Sequence, residues 1–287
     1  MTTVHTSRRH LLARGLRLGG WGLATLATGR SRAQAGSGEP LAIVLSPFLS
    51  PAALLTAYRR LRDHLNQALQ RPVVMLTAKD FRTLAEETRR GEHHVVQLPA
   101  HLARLAMLDW GWQMLAAPSV QIVVVVGVKR TGPVHSANDL RGRSVGMLDA
   151  LSLTATVGRR WLELQGVAAD VKTVPMASVN SALFALDRDE VAAFVAADTQ
   201  LAMLPASTPR SDRVLTRIGD IPGPVFLASP GMPAAEREQL RAAMAAFTPD
   251  ASHPPSAANA TLGPLAESRL KLLDGYAAGA RQALAAR

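Results

Sequence analysis

Short, unbroken apolar runs separated by amphipathic stretches restrict the folds open to this chain more than any other feature. Leu41–Leu45, residues 72–75, Val95–Leu98 and residues 120–128 are such runs, rich in Val and Leu. A strand that is apolar on both faces needs cover on both faces, as in a parallel sheet flanked by helices. Between the runs lie helix signals. Ser50-Pro51 predicts a helix start, with the serine as cap and the proline in the first turn. Leu54, Leu55, Tyr58, Leu61, Leu65 and Leu69 then follow at helical spacing and predict one helix. Asp80 predicts the cap of a helix that runs to about Arg90 and stops at Gly91. Pro99 opens another. The alternation continues with strands at 145–148, 171–174, 191–195 and 225–228 and helices at 152–164, 178–186 and 234–247. Residues 249–261 read as a loop, and residues 266–286 as a final helix.

The N-terminus is of a different kind. Residues 1–35 hold six arginines and no acid, which leaves 26 basic against 22 acidic residues in the remainder. Arg8-Arg9 opens a basic region, residues 16–28 are mildly apolar, and Ala33-Gln34-Ala35 offers small residues for signal cleavage. That order predicts a cleaved secretory signal over residues 1–35, and the adjacent arginines resemble a twin-arginine signal. Leu11 and Ala13 depart from the residues usual there. The apolar stretch, like the one at 120–128, is shorter than the roughly 20 residues that span a bilayer. The expected location is the periplasm. There is no cysteine, so disulfides, thiolate metal sites and a cysteine nucleophile are excluded. Charge outside the leader shows no basic run interleaved with aromatics, which argues against nucleic acid as a partner.

The ordered series of short motifs resembles the solute-binding proteins of phosphate, phosphite and phosphonate ABC transporters. It comprises Ser46-Pro-Phe-Leu-Ser-Pro-Ala-Ala-Leu-Leu-Thr-Ala-Tyr58, Arg71-Pro-Val-Val74, Thr77-Ala-Lys-Asp80 and Gly91-Glu-His-His-Val-Val-Gln-Leu-Pro-Ala100. Ala137-Asn-Asp-Leu-Arg-Gly-Arg-Ser-Val-Gly146, Ile221-Pro-Gly-Pro-Val225 and Gly231-Met-Pro-Ala-Ala-Glu-Arg-Glu-Gln-Leu240 complete it. The resemblance implies an α/β, two-lobed type II periplasmic-binding-protein fold, each lobe a mostly parallel sheet flanked by helices. Residues 36–122 with 225–287 would form lobe one. Residues 123–224 would form lobe two and carry the hinge strands, near 123–126 and 222–225. The ligand would sit in the cleft and pass to a membrane permease.

In such a fold, strand C-termini and helix N-termini face the ligand, and free N–H groups there suit an anion. Two turns qualify: Ser46 to Ser50, and the hydroxyl-rich Ser152, Thr154 and Thr156. Gln97 at a strand end, His101 in the following helix, Gln121 at the hinge strand, Asn180 and Asp198 complete the candidates. Ordinary capping is the alternative for the hydroxyls, and N-capping for Asp198. Several polar anchors of the family are replaced here. Val179 stands at a frequent histidine, His101-Leu102 at a frequent tyrosine, and His94 and Ala192 at two aspartates. A drier pocket follows, so the expected ligand is either a phosphonate-like oxyanion or a larger apolar molecule such as a lipid or sterol.

His93 and His94 point to opposite faces of a strand and cannot readily chelate one ion, so no metal is expected. No cofactor is expected either. Arg59, Arg60, Arg62, Arg89 and Arg90 read as solvated helix faces, with a permease contact as the alternative. No Gly-x-Ser-x-Gly elbow, Walker loop or dinucleotide fingerprint is present, and an enzyme is not expected. A monomer is expected, with a permease or a membrane sensor as partner.

Overall fold

A computed structural model describes residues 39–286. The export signal read over residues 1–35 lies outside the described residues. Two sheets organise the rest. The first is built from β1 (Leu41–Leu45), which leads through α1 (Pro51–Ala57) and α2 (Arg59–Leu69) to β2 (Val73–Thr77). Helix α3 (Phe81–Arg90), β3 (Val95–Leu98), α4 (Ala100–Asp109) and β4 (Gln113–Pro118) follow. The chain then enters the second sheet along β5 (Gln121–Lys129) and builds β6 (Ser144–Met147), α5 (Leu153–Leu164), β7 (Lys172–Pro175) and α6 (Val179–Asp187). This half closes with β8 (Ala193–Ala197), α7 (Asp198–Ala202) and β9 (Asp212–Pro222). It returns to the first sheet as β10 (Val225–Ala228), α8 (Ala234–Ala245), β11 (Leu262–Gly263), α9 (Glu267–Lys271) and α10 (Asp274–Ala285).

The strand orders are β11-β4-β10-β3-β1-β2 and β7-β6-β8-β5-β9. In each sheet three strands joined by helices run parallel, β2-β1-β3 in one and β7-β6-β8 in the other. The remaining neighbours pair antiparallel. Both sheets are therefore mixed rather than mostly parallel. The antiparallel half exists because the chain leaves one sheet and comes back, so β5 lies against β9 and β10 against β3.

The crossings are short. Ser119 and Val120 link β4 to β5, and Gly223 and Pro224 link β9 to β10. Residues 123–126, read from sequence as hinge, lie within β5 and pair with β8 and β9. At the β5–β9 ladder the register shifts between Val124 and Val125, and Gly219 takes a φ of 138° there, a conformation that glycine adopts without steric cost.

Local signals explain most boundaries. Asp80 accepts the N–H of Thr83 at 2.7 Å, and Gly91 stops α3 at φ 72°. Two expectations change. The single helix expected up to Leu69 is divided at Tyr58, which is fully buried and packs edge-on against Phe226 at 6.5 Å. The final helix is likewise divided, into α9 and α10. Ser50 holds the N-cap position of α1, but its side chain makes no capping bond.

Candidate ligand-binding site

A cavity lies between the sheets, where β1, β3 and β8 end and where α4, α5 and α7 begin. Its polar lining consists of Ser46, Ser152, Thr154, Thr199 and Gln200. Phe48, Phe81, Ile122, Met203 and Ile221 supply much of the apolar wall. No lining residue carries a formal charge. The volume open to the centre of a water molecule is about 50 Å³. A single water needs roughly 10–15 Å³ on that measure, so the enclosed space suits a compact group.

Three of the residues singled out from sequence meet at this cavity: Ser46, Ser152 and Thr154. Ser46 is buried and donates its hydroxyl to the Gln97 carbonyl at 2.6 Å. Ser152 and Thr154 are buried and bonded to each other at 2.8 Å. Ser152 is the N-cap of α5, but its hydroxyl pairs with Thr154 rather than with the helix backbone. The first turns of α4 and α5, one from each lobe, thus open toward the same space, and their leading N–H groups have no intrahelical acceptors.

The other candidates lie nearby or elsewhere. Gln97 is fully buried, donates its side-chain amide to the Tyr58 hydroxyl at 2.6 Å, and has its Oε1 without a partner. Burial pushes the Tyr58 hydroxyl well above the usual phenolic range, against the smaller effect of its bond to Gln97. His101 is buried on α4. Burial pulls its imidazole down to about 4, opposed by a backbone hydrogen bond with Leu151, so it is neutral at pH 7. Thr156 turns back to the Ser152 carbonyl at 3.0 Å. Gln121 is exposed at the crossing and accepts from Arg269 at 3.0 Å. Asp198 accepts the N–H of Val123 at 3.1 Å and stands 3.7 Å from Arg217, so it ties α7 to β5.

Asn180 has a distinct place. Its Oδ1 accepts the Ser50 N–H at 3.2 Å, while the adjacent Val179 N–H donates to the Phe48 carbonyl at 3.1 Å. This two-bond clasp joins the turn before α1 to the start of α6, across the cleft from lobe to lobe.

Thr199 and Gln200 were not legible as site residues. Thr199 is buried with its hydroxyl unpartnered, and Gln200 spends its Oε1 on the Ala197 N–H at 2.9 Å. Their position directly after strand β8 follows the same strand-end rule that singled out Asp198.

Two helix-flanked sheets, crossed twice by the chain and enclosing a cavity at their strand ends, define a type II periplasmic binding protein. The chain belongs to the phosphonate periplasmic substrate-binding family of ABC transporters, whose family model matches residues 43–270. The fold is similar to that of PhnD1 from Prochlorococcus marinus in complex with methylphosphonate, at TM-score 0.72 and 10% identity, covering 85% of this chain and 98% of that one. A binding-protein component of an ABC phosphonate transporter from Pseudomonas aeruginosa aligns at TM-score 0.70 and 12% identity, covering 86% and 89%. A Xanthomonas citri protein bound to ATP aligns at TM-score 0.62 and 17% identity, covering 85% and 99%. No curated protein matches the sequence. As a member of this family the chain is a substrate-binding protein, the class that serves an ABC permease with small molecules. No helix among the described residues is long and apolar enough to cross a membrane.

Proposed function

We propose that this protein captures a compact oxyanion with a small apolar substituent, of the alkylphosphonate or phosphite kind, in the periplasm and delivers it to an ABC permease. It acts as a monomer after removal of residues 1–35. Residues 36–122 with 225–287 form one jaw and residues 123–224 the other, turning about the two crossings.

One observation carries the reading. The cavity gathers four hydroxyls and an amide, from the end of β1, the start of α5 and the short α7, beside the first turn of α4, with apolar walls and no charged side chain. Helix N-termini and uncharged donors suit an anion without a counter-charge. The absence of an acid from the lining disfavours ligands with an ammonium group. PhnD1, whose fold is similar, is in complex with methylphosphonate, a compact anion of this kind.

Isothermal titration with methylphosphonate, phosphite and phosphate tests this. Saturable binding of at least one is expected. The Ser152→Ala/Thr154→Ala double variant should bind tenfold or more weakly, with a melting temperature little changed. Silence with all three anions, together with a melting-temperature rise in lipid extracts, would overturn the reading. That result would favour a hydrophobic carrier, for which the apolar walls Phe48, Phe81, Ile122, Met203 and Ile221 speak.

A further inference from the structure

We infer that the cavity takes its oxyanion in a protonated form, with one P–OH group, and that Ser46 is the residue that reads this proton. The inference rests on the oxyanion reading above and adds the protonation state of the ligand.

A serine hydroxyl has one proton and two lone pairs. At Ser46 the partner of that proton is the Gln97 carbonyl, 2.6 Å away. A carbonyl oxygen cannot donate, so the direction of this bond needs no assignment of hydrogen positions. Both residues are buried, and Gln97 lies on β3, inside the sheet between β10 and β1. Its side chain is also held, by the Tyr58 hydroxyl at 2.6 Å. The contact is thus part of the rigid interior of lobe one. What Ser46 presents to the cavity is lone pairs.

The other polar side chains of the lining still have protons to give. Ser152 and Thr154 use one of their two protons on each other and keep one. Thr199 is buried with its hydroxyl unpartnered. Gln200 has its Oε1 engaged by Ala197, which turns its amide N–H groups to donation. Among the polar side chains lining the cavity, Ser46 alone has no proton left to offer. Among these side chains, a tetrahedral anion meets donors from lobe two and an acceptor from lobe one. An oxygen without a proton facing Ser46 would oppose lone pair to lone pair in a water-poor space, whereas a P–OH oxygen completes the bond. The site therefore distinguishes a hydrogen phosphonate or phosphite from a sulfonate of the same shape, which has no proton to donate at neutral pH.

The test compares methylphosphonate with methanesulfonate on the wild-type protein by titration calorimetry at pH 7. An unmatched buried polar group costs enough to weaken binding about 10- to 100-fold, and methanesulfonate is expected to bind that much more weakly. The affinity for methylphosphonate is expected to fall as pH rises through its second ionisation. Ser46→Ala should bring the two ligands to within about threefold and flatten the pH profile. Equal affinity of wild-type protein for both ligands would overturn the inference while leaving the oxyanion reading standing. A wild-type affinity for methylphosphonate that stays level or rises with pH would also overturn it, and that measurement needs no variant to fold. Binding of neither anion would defeat the oxyanion reading itself and this inference with it.

Discussion

Asn180→Ala isolates the contribution of the interlobe clasp. The substitution removes the acceptor of the Ser50 N–H but leaves the Val179–Phe48 bond between main chains. Ser50 is half-buried, so water can reach its freed N–H when the lobes part. The loss is then close to the net value of one hydrogen bond, about 1 kcal/mol. That equals a roughly fivefold fall in the ratio of closed to open molecules. If half the ligand-free molecules are closed, the closed fraction drops to about one-sixth and the apparent Kd rises about threefold. If most are open, the Kd rises by the full fivefold. The chain has no cysteine, so a pair introduced at exposed Leu164 and Leu272, one in each lobe, accepts spin labels cleanly. Pulsed electron resonance should show the longer interlobe distance gaining population in the variant without ligand. An unchanged distance distribution with an unchanged Kd, in a protein that still melts cooperatively, would refute the idea that this pair of bonds holds the lobes together.

Other outcomes follow from the packing and the ionisation. A Cβ at Gly127 would meet the Phe194 ring at 2.2 Å, and Phe194 is fully buried in the second sheet. Gly127→Ala should therefore destabilise by about 1–3 kcal/mol or more in chemical denaturation. Gly158→Ala, whose Cβ would stand 2.9 and 3.0 Å from the two methyls of buried Val195, should also destabilise, though less than Gly127→Ala because the overlap is smaller. His101, pulled by burial from 6.5 to about 4, binds a proton in the unfolded chain before it does so in the folded one. Its contribution to stability is full above pH 6.5 and declines as pH falls toward 4, by about 3 kcal/mol at most. Nuclear magnetic resonance should find the His101 ring neutral at pH 5, and a ring that titrates near 6.5 in the folded protein would contradict this.

Much of the fold was legible because its signals are local. Asp80 and Gly91 bound α3 as their residue types require, and the apolar runs at β1, β3 and β5 became strands. β4, Gln-Met-Leu-Ala-Ala-Pro in sequence, carries neither alternation nor β-branched residues and is stabilised by its neighbours β10 and β11. β9 is rich in charge and exists because β5 offers it a long antiparallel edge. Of the residues lining the cavity, Ser46 was singled out at a strand end and Ser152 and Thr154 at a helix start. Thr199 and Gln200 also follow a strand end, but no local pattern distinguishes them from Asp198 beside them, whose carboxylate is spent on Val123 and Arg217.

The sequence by itself determined most of the alternating strands and helices, written in windows of a few residues at periods of 2 or 3.6, and the family and the hydroxyl-rich turn, written in short motifs in a fixed order. Only the tertiary structure decided which groups are free. Ser46 gives its proton to a residue 51 positions away, and Ser50 meets an acceptor 130 positions away. A hydrogen bond forms only between atoms brought within about 3 Å, and no local pattern records which distant carbonyl or amide the folded chain brings there.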